Sequence, residues 1–222
     1  MGELESLETD EPLKARRHRH WYDRLMMLTD GVFAIAITFL TIDITNPAGW
    51  AGDWPGLWAH LAPQLDAYVM SFIVVSIYWL AHRRFMATIL TVDAPVTVLT
   101  LLVLGLIALV PPATRLISVN FMFPNARVVY AALVVGIGAS LAALWGYAAL
   151  IADVVSHEVS RRVRWFLLAL MVFTPPFFLL LTLAVPSPPP LAIPLLLTGL
   201  FLVGWPLRLW AVRRLGGKPW VG

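Results

Sequence analysis

Arg24, Asp30 and Asp43 sit inside one apolar stretch, Arg24-Leu-Met-Met-Leu-Thr-Asp-Gly-Val-Phe-Ala-Ile-Ala-Ile-Thr-Phe-Leu-Thr-Ile-Asp-Ile44. A charge at mid-bilayer costs ~2.5–3.5 kcal/mol on insertion scales, so such residues persist where they pair, line water or face a bundle interior. Arg24 and Asp30 are six residues apart, which on a helix turns their side chains about 120° from each other. They cannot easily pair within the helix. His82, near the matching end of a second apolar run, is at the right depth to meet them. Two chemistries fit that trio: a static polar clamp between helices, or a gate that senses protons through the imidazole. Asp43 marks the opposite end. It reads either as an interfacial carboxylate or as one member of a carboxylate ring that concentrates cations. Between the charges, Ile35, Phe39 and Ile42 recur at i, i+4 and i+7 and share one helix face, with Thr38 beside it. They span ~10 Å along the axis. Spacing alone fits core packing or lipid contact as well as the lining of a pore.

Other chemistry finds no support. Glu158 follows His157, but there is no His-Glu-x-x-His and no other metal-ligand spacing. There is no serine nucleophile elbow and no phosphate-binding glycine loop. Gly136 and Gly138 lie within an apolar run and read as packing glycines. The chain has no cysteine, which excludes disulfides, thiolate catalysis and Cys-based metal sites. The expectation is therefore no enzyme, no metal, no cofactor and no nucleic-acid partner.

The elements that must hold these residues are membrane helices. Of 222 residues, 59% are hydrophobic and 13% charged, against about 25% charged in soluble domains. Apolar runs recur at about 21–45, 61–84, 94–110, 126–153, 163–185 and 191–212, so an all-α, polytopic subunit with six transmembrane helices is expected. Asn46-Pro47 ends the first run, and the loop to Gly56 carries tryptophans suited to a membrane surface. Pro111-Pro112 is expected to break or kink the third. Gly136 and Ser140 have a small-xxx-small spacing in the fourth. The organisation reads as a tail, 1–20, a six-helix membrane domain, 21–215, and a second tail, 216–222. The first twenty residues are polar and charged, unlike a signal peptide.

Lys14, Arg16, Arg17, Arg19 and Arg24, then Arg83 and Arg84, then Arg161, Arg162 and Arg164, then Arg208, Arg213, Arg214 and Lys218 all fall on one side of a six-span arrangement. Arg115 and Arg127 fall on the other. Cytoplasmic loops carry the excess of Lys and Arg, so both termini are expected in the cytoplasm of a cell bounded by this membrane. The basic part of the first tail also fits contact with anionic lipid.

Arg24-x-x-x-Leu28-Thr29-Asp30-x-x-x-Ala34 resembles the Arg-x-x-x-Phe-Ser-Asp-x-x-x-Ala signature of the endosomal and lysosomal potassium channel family, in its bacterial branch. Tyr78-Trp79-Leu80-Ala81-His82-Arg83-Arg84-Phe85 is similar to that family's second-helix ending, and Pro111-Pro112-Ala-Thr114 to the end of its third. The resemblance covers the first three spans; the last three match in hydropathy only. It implies a homotetramer around a central pore lined by the first helices, in the plasma membrane, passing potassium ions without a Thr-Val-Gly-Tyr-Gly filter. It maps the constriction onto Ile35, Phe39 and Ile42, a selectivity layer onto Thr38, and a cytoplasmic polar network onto Arg24, Asp30 and His82, to which Thr29 of the motif is added; Asp43, from its position alone, is expected at the outer mouth. Leu28 and Thr29 stand in place of Phe-Ser, keeping a hydroxyl and losing a ring. Phe39 stands where an aliphatic residue is usual, and Thr41 where an apolar one is. Two other readings stay open: a proton-coupled transporter using Asp30 and His82, and a non-conducting membrane scaffold.

Overall fold

Leu13–Phe39 forms the first helix, α1, and five more follow: α2 (Trp54–Met86), α3 (Ala94–Ala108), α4 (Val110–Asn120), α5 (Pro124–Gly146) and, after a π-helical turn (Tyr147–Ile151), α6 (Arg161–Ala184). The structure is a computed structural model describing residues 13–120, 122–156 and 159–184. The expected sixth span, 191–212, the tail 216–222 and residues 1–12 lie outside the described residues. Among the described residues there is no strand, only a lone bridge between Ile89 and Val155. Trp54–Met86, Ala94–Asn120 and Pro124–Ile151 have the length and hydropathy to cross a membrane. The chain is an all-helical, multi-pass membrane protein.

Local chemistry sets the helix boundaries. Asp53 caps α2 by accepting from the Gly56 N–H at 2.8 Å, and Pro55 fills the first turn, where its missing N–H is no loss. The helix thus begins seven residues before the apolar run, and Trp54 and Trp58 belong to it rather than to the preceding loop. Asp93 caps α3 in the same way, accepting from Val96 N–H at 2.9 Å. Its other oxygen accepts from the Tyr147 hydroxyl at 2.7 Å.

Pro111-Pro112 does not end the third span. The helix resets at Leu109, whose N–H turns to the Leu106 and Ile107 carbonyls, and restarts at Val110. Both prolines then occupy a first turn, the one part of a helix that needs no N–H donors. The span consequently runs on to Asn120.

The main core gathers Phe33 and Leu40 from α1, Val75 and Met86 from α2, Val103 and Ile107 from α3, and Leu141, Leu144 and Trp145 from α5. A smaller cluster, including Met70, Val74, Ile117 and Tyr130, fills the space between α2, α4 and α5. Three buried hydroxyls lie beside it. Thr114 Oγ1 is 2.7 Å from Ser71 Oγ and 2.8 Å from the Val110 carbonyl, and Ser71 Oγ is 2.9 Å from Tyr130 OH. The carbonyl can only accept, so protons running from Tyr130 through Ser71 to Thr114 satisfy the whole chain. The three hydroxyls tie α2, α4 and α5 together inside an apolar surround.

Candidate functional site

α1 has two faces of opposite character. Leu25, Thr29, Phe33, Ala36 and Leu40 step along it by four, four, three and four residues, and all are buried. That is the period of one helix face packed on a core. Ile35, Phe39 and Ile42 lie on the other side and are 55%, 52% and 67% exposed. The stripe is therefore not core of its own subunit. Thr38 and Thr41 are exposed as well, along one edge of it.

The α-helical part of α1 stops at Phe39, short of the apolar run's end at about 45. Leu40 N–H still reaches back four residues to the Ala36 carbonyl at 3.3 Å. Thr41 N–H then bonds the Thr38 carbonyl at 3.1 Å and Ile42 N–H the Phe39 carbonyl at 3.2 Å, each three residues back. This is a 3₁₀-like turn, in which residues three apart eclipse. It turns Ile42 toward alignment with Phe39, and Thr41 toward alignment with Thr38.

Tertiary ties hold that tightened end. Thr45 N–H donates to Gln64 Oε1 at 2.8 Å, and His60 Nε2 is 3.1 Å from the Thr45 carbonyl, both partners on α2. Asp43 sits 3.7 Å from Arg115 on α4. The carboxylate expected at the outer mouth thus carries a cation beside it. Arg115 is 73% exposed, so the pair contributes about 0–1 kcal/mol at most, and its effect is chiefly on local charge.

Further back along α1, the indole N–H of Trp79 donates to Asp30 Oδ1 at 2.8 Å. The Arg83 guanidinium lies 5.4 Å from the centre of the same indole, within cation–π range. Thr29 is buried and its hydroxyl donates to the Leu25 carbonyl at 2.8 Å. His82 is fully buried, its ring 6.2 Å from that of Phe33, with neither nitrogen hydrogen-bonded among the described residues. Arg24 is exposed. Of the residues expected to form one network, Asp30 meets α2 through Trp79, while His82 meets α1 through Phe33.

Trp79 had no role in the sequence reading, although a signal was present. It lies three residues before His82, hence on the same side of α2, and its N–H is a donor that needs an acceptor. Trp79→Phe keeps the ring and removes the donor. The expected loss is about 1 kcal/mol, the net worth of one hydrogen bond at a partly open site, seen as a thermal midpoint lower by a few degrees in detergent. An unchanged midpoint would show that the bond does not hold α1 to α2.

Comparison with known proteins finds relatives of the part of the chain that carries this geometry. A family profile described as endosomal/lysosomal potassium channel TMEM175 matches residues 24–111, the stretch from α1 into the start of α4. A potassium channel of Streptomyces collinus is 37% identical over 128 residues, which cover 55% of this chain and 62% of that one. The aligned stretch thus spans under two thirds of the Streptomyces protein. A potassium channel of Chamaesiphon minutus is 31% identical over 145 residues, 63% of this chain and 71% of that one. The crystal structure of a lysosomal potassium-selective channel TMEM175 homolog from Chamaesiphon minutus superposes with a TM-score of 0.62 at 27% identity, covering 88% of this chain and 98% of that one.

Proposed function

The chain belongs to the TMEM175 family of endosomal/lysosomal potassium channels, in its bacterial branch, and from that premise we propose that it is a passive, potassium-preferring channel. The subunits form a homotetramer of six-helix chains with α1 lining the central axis. The membrane is the plasma membrane, and both termini are cytoplasmic. Conduction makes and breaks no covalent bond, so no cofactor enters.

The observation that carries this reading is the exposed stripe of Ile35, Phe39 and Ile42 on α1, opposite the ridge buried against the subunit's own core. Around a symmetry axis each of these residues becomes a ring. A narrow apolar ring expels water, and a bare ion cannot cross it, so the stripe gates by dewetting and opens by widening or rotating. Phe39 supplies phenyl rings that narrow the passage more than aliphatic side chains would. Thr38 adds oxygen ligands at the edge of the constriction, and Asp43 sits at its outer mouth beside Arg115.

The end of α1 also has the right polarity for cations. The C-terminal end of a helix carries partial negative charge, and here that end coincides with Thr38–Asp43. A proton-coupled transporter would need Asp30 and His82 in one relay. Among the described residues no hydrogen bond joins the two: Asp30 accepts from Trp79, and neither His82 nitrogen is hydrogen-bonded.

The test is potassium flux. Purified protein reconstituted in liposomes under a potassium gradient should dissipate it, with a reversal potential set by the gradient. Folded protein that passes no potassium would overturn the reading.

A further inference from the structure

We propose that Thr41 forms a second cation-binding oxygen layer, one turn outside Thr38. The inference rests on the channel reading above and deepens it. Its basis is the change in hydrogen bonding at the end of α1.

In a continuous α-helix, Thr41 would be rotated 300° from Thr38, or 60° short of eclipsing it, at 100° per residue. The observed three-residue bond from Thr41 N–H to the Thr38 carbonyl closes much of that gap. The two threonines therefore stand one above the other, about 5–6 Å apart along the helix. Both are exposed, Thr38 on α1 and Thr41 in the turn that follows it, along the same edge of the Ile35–Phe39–Ile42 stripe.

Their hydroxyl protons are already committed. Thr38 Oγ1 donates to the Ile35 carbonyl at 2.9 Å, and Thr41 Oγ1 donates to the Thr38 carbonyl at 2.7 Å. A hydroxyl has one proton and two lone pairs. With the proton turned back onto the helix, each oxygen is left as an acceptor, which is what a cation ligand must be. A dehydrating potassium ion needs several oxygens to replace its water. One threonine ring supplies only part of that set, and a second ring in register supplies a further part.

The change in bonding, from Leu40 N–H on the Ala36 carbonyl to Thr41 N–H on the Thr38 carbonyl, falls at this same point. The negative end of the helix dipole lies here too. The ties from Gln64 and His60 to Thr45 hold the tightened turn in place, so the two layers stay stacked. The site takes a monovalent cation that sheds water readily, potassium before sodium.

The experiment compares reversal potentials under bi-ionic potassium and sodium for the wild type, Thr41→Val and Thr41→Ser in planar bilayers. Valine keeps the branched shape and deletes the oxygen. The expected result is a severalfold fall in the potassium-to-sodium permeability ratio for Thr41→Val, restored in Thr41→Ser. A Thr41→Val channel with the wild-type ratio would overturn the second layer and leave the channel reading standing. A wild type without potassium current would remove both.

Discussion

Ile35→Asn is expected to raise potassium flux roughly tenfold, equivalent to about 1.4 kcal/mol off the conduction barrier. The amide offers donors and acceptors where an apolar ring otherwise expels water, so the constriction hydrates. One substitution acts at every position around the axis at once, because symmetry repeats it. Ile35 is 55% exposed in its own subunit. No core cavity forms, and the change in subunit stability should stay within about 0.5 kcal/mol. The effect is read as the rate of potassium efflux from liposomes at matched protein content. Unchanged efflux from a folded Ile35→Asn protein would remove Ile35 from the constriction.

The largest expected effect on stability belongs to Arg164. It is 7% exposed, and its guanidinium is a hub. Nε donates to the Val159 carbonyl at 3.0 Å, Nη1 to the Ala149 carbonyl at 2.8 Å and to Asp153, and Nη2 to the Val155 and Ser156 carbonyls at 3.2 and 3.4 Å. The π-helical turn and the segment after it expose several carbonyls at once, and a planar fork of five donors can serve them. Asp153, held at a positive φ of 50°, brings the balancing charge. The segment in turn bonds the end of α2, with Leu90 N–H to the Val154 carbonyl at 2.8 Å and Ser156 N–H to the Thr88 carbonyl at 2.9 Å. Arg164→Met keeps the length and removes every donor. A loss of about 3–5 kcal/mol is expected, as when one partner of a buried charged cluster is deleted. The thermal midpoint of the solubilised protein should fall by roughly 10 °C or more. A midpoint within a degree of wild type would contradict the hub. Since the site is far from the α1 stripe in the chain and packs on other elements, the ion preference of surviving channels should not move.

Much of this was legible in the residues. The run of apolar segments marked a multi-pass helical protein, and the periodicity of Ile35, Phe39 and Ile42 marked a shared face of α1. Periodicity cannot say whether such a face is core, lipid contact or pore, because all three are apolar. Burial of Leu25, Thr29, Phe33, Ala36 and Leu40 on the opposite side removes the first of these. The end of α1 was not legible. An apolar stretch carries no mark of where bonding tightens, and the partners that hold it, Gln64, His60 and Arg115, lie far along the chain. The donor to Asp30 was not legible either. Charge directed attention to His82 at matching depth, whereas the hydrogen bond to Asp30 comes from an indole N–H, formally neutral. Arg164 counted as one of several topology-setting cations, and only tertiary geometry separates it from the exposed Arg161 and Arg162. Pro111-Pro112 marked the break that the structure shows at Leu109, between α3 and α4; that the span resumes and runs on to Asn120 was not legible, because it depends on both prolines falling in a first turn, where no donor is needed.

The central claim is that the exposed stripe of α1 lines the ion path, and the absence of cysteine from the chain allows a direct test. Ile42→Cys places a lone thiol on the stripe, and Val98→Cys places one on α3, at a side chain exposed to a similar degree, 63% against 67%. A cationic methanethiosulfonate reagent is applied from the outer side during potassium current recording in planar bilayers, with labelling checked by mass. Current through Ile42→Cys should collapse as the thiol is modified, and current through Val98→Cys should not change. Complete modification of Ile42→Cys with its potassium current intact would contradict the account.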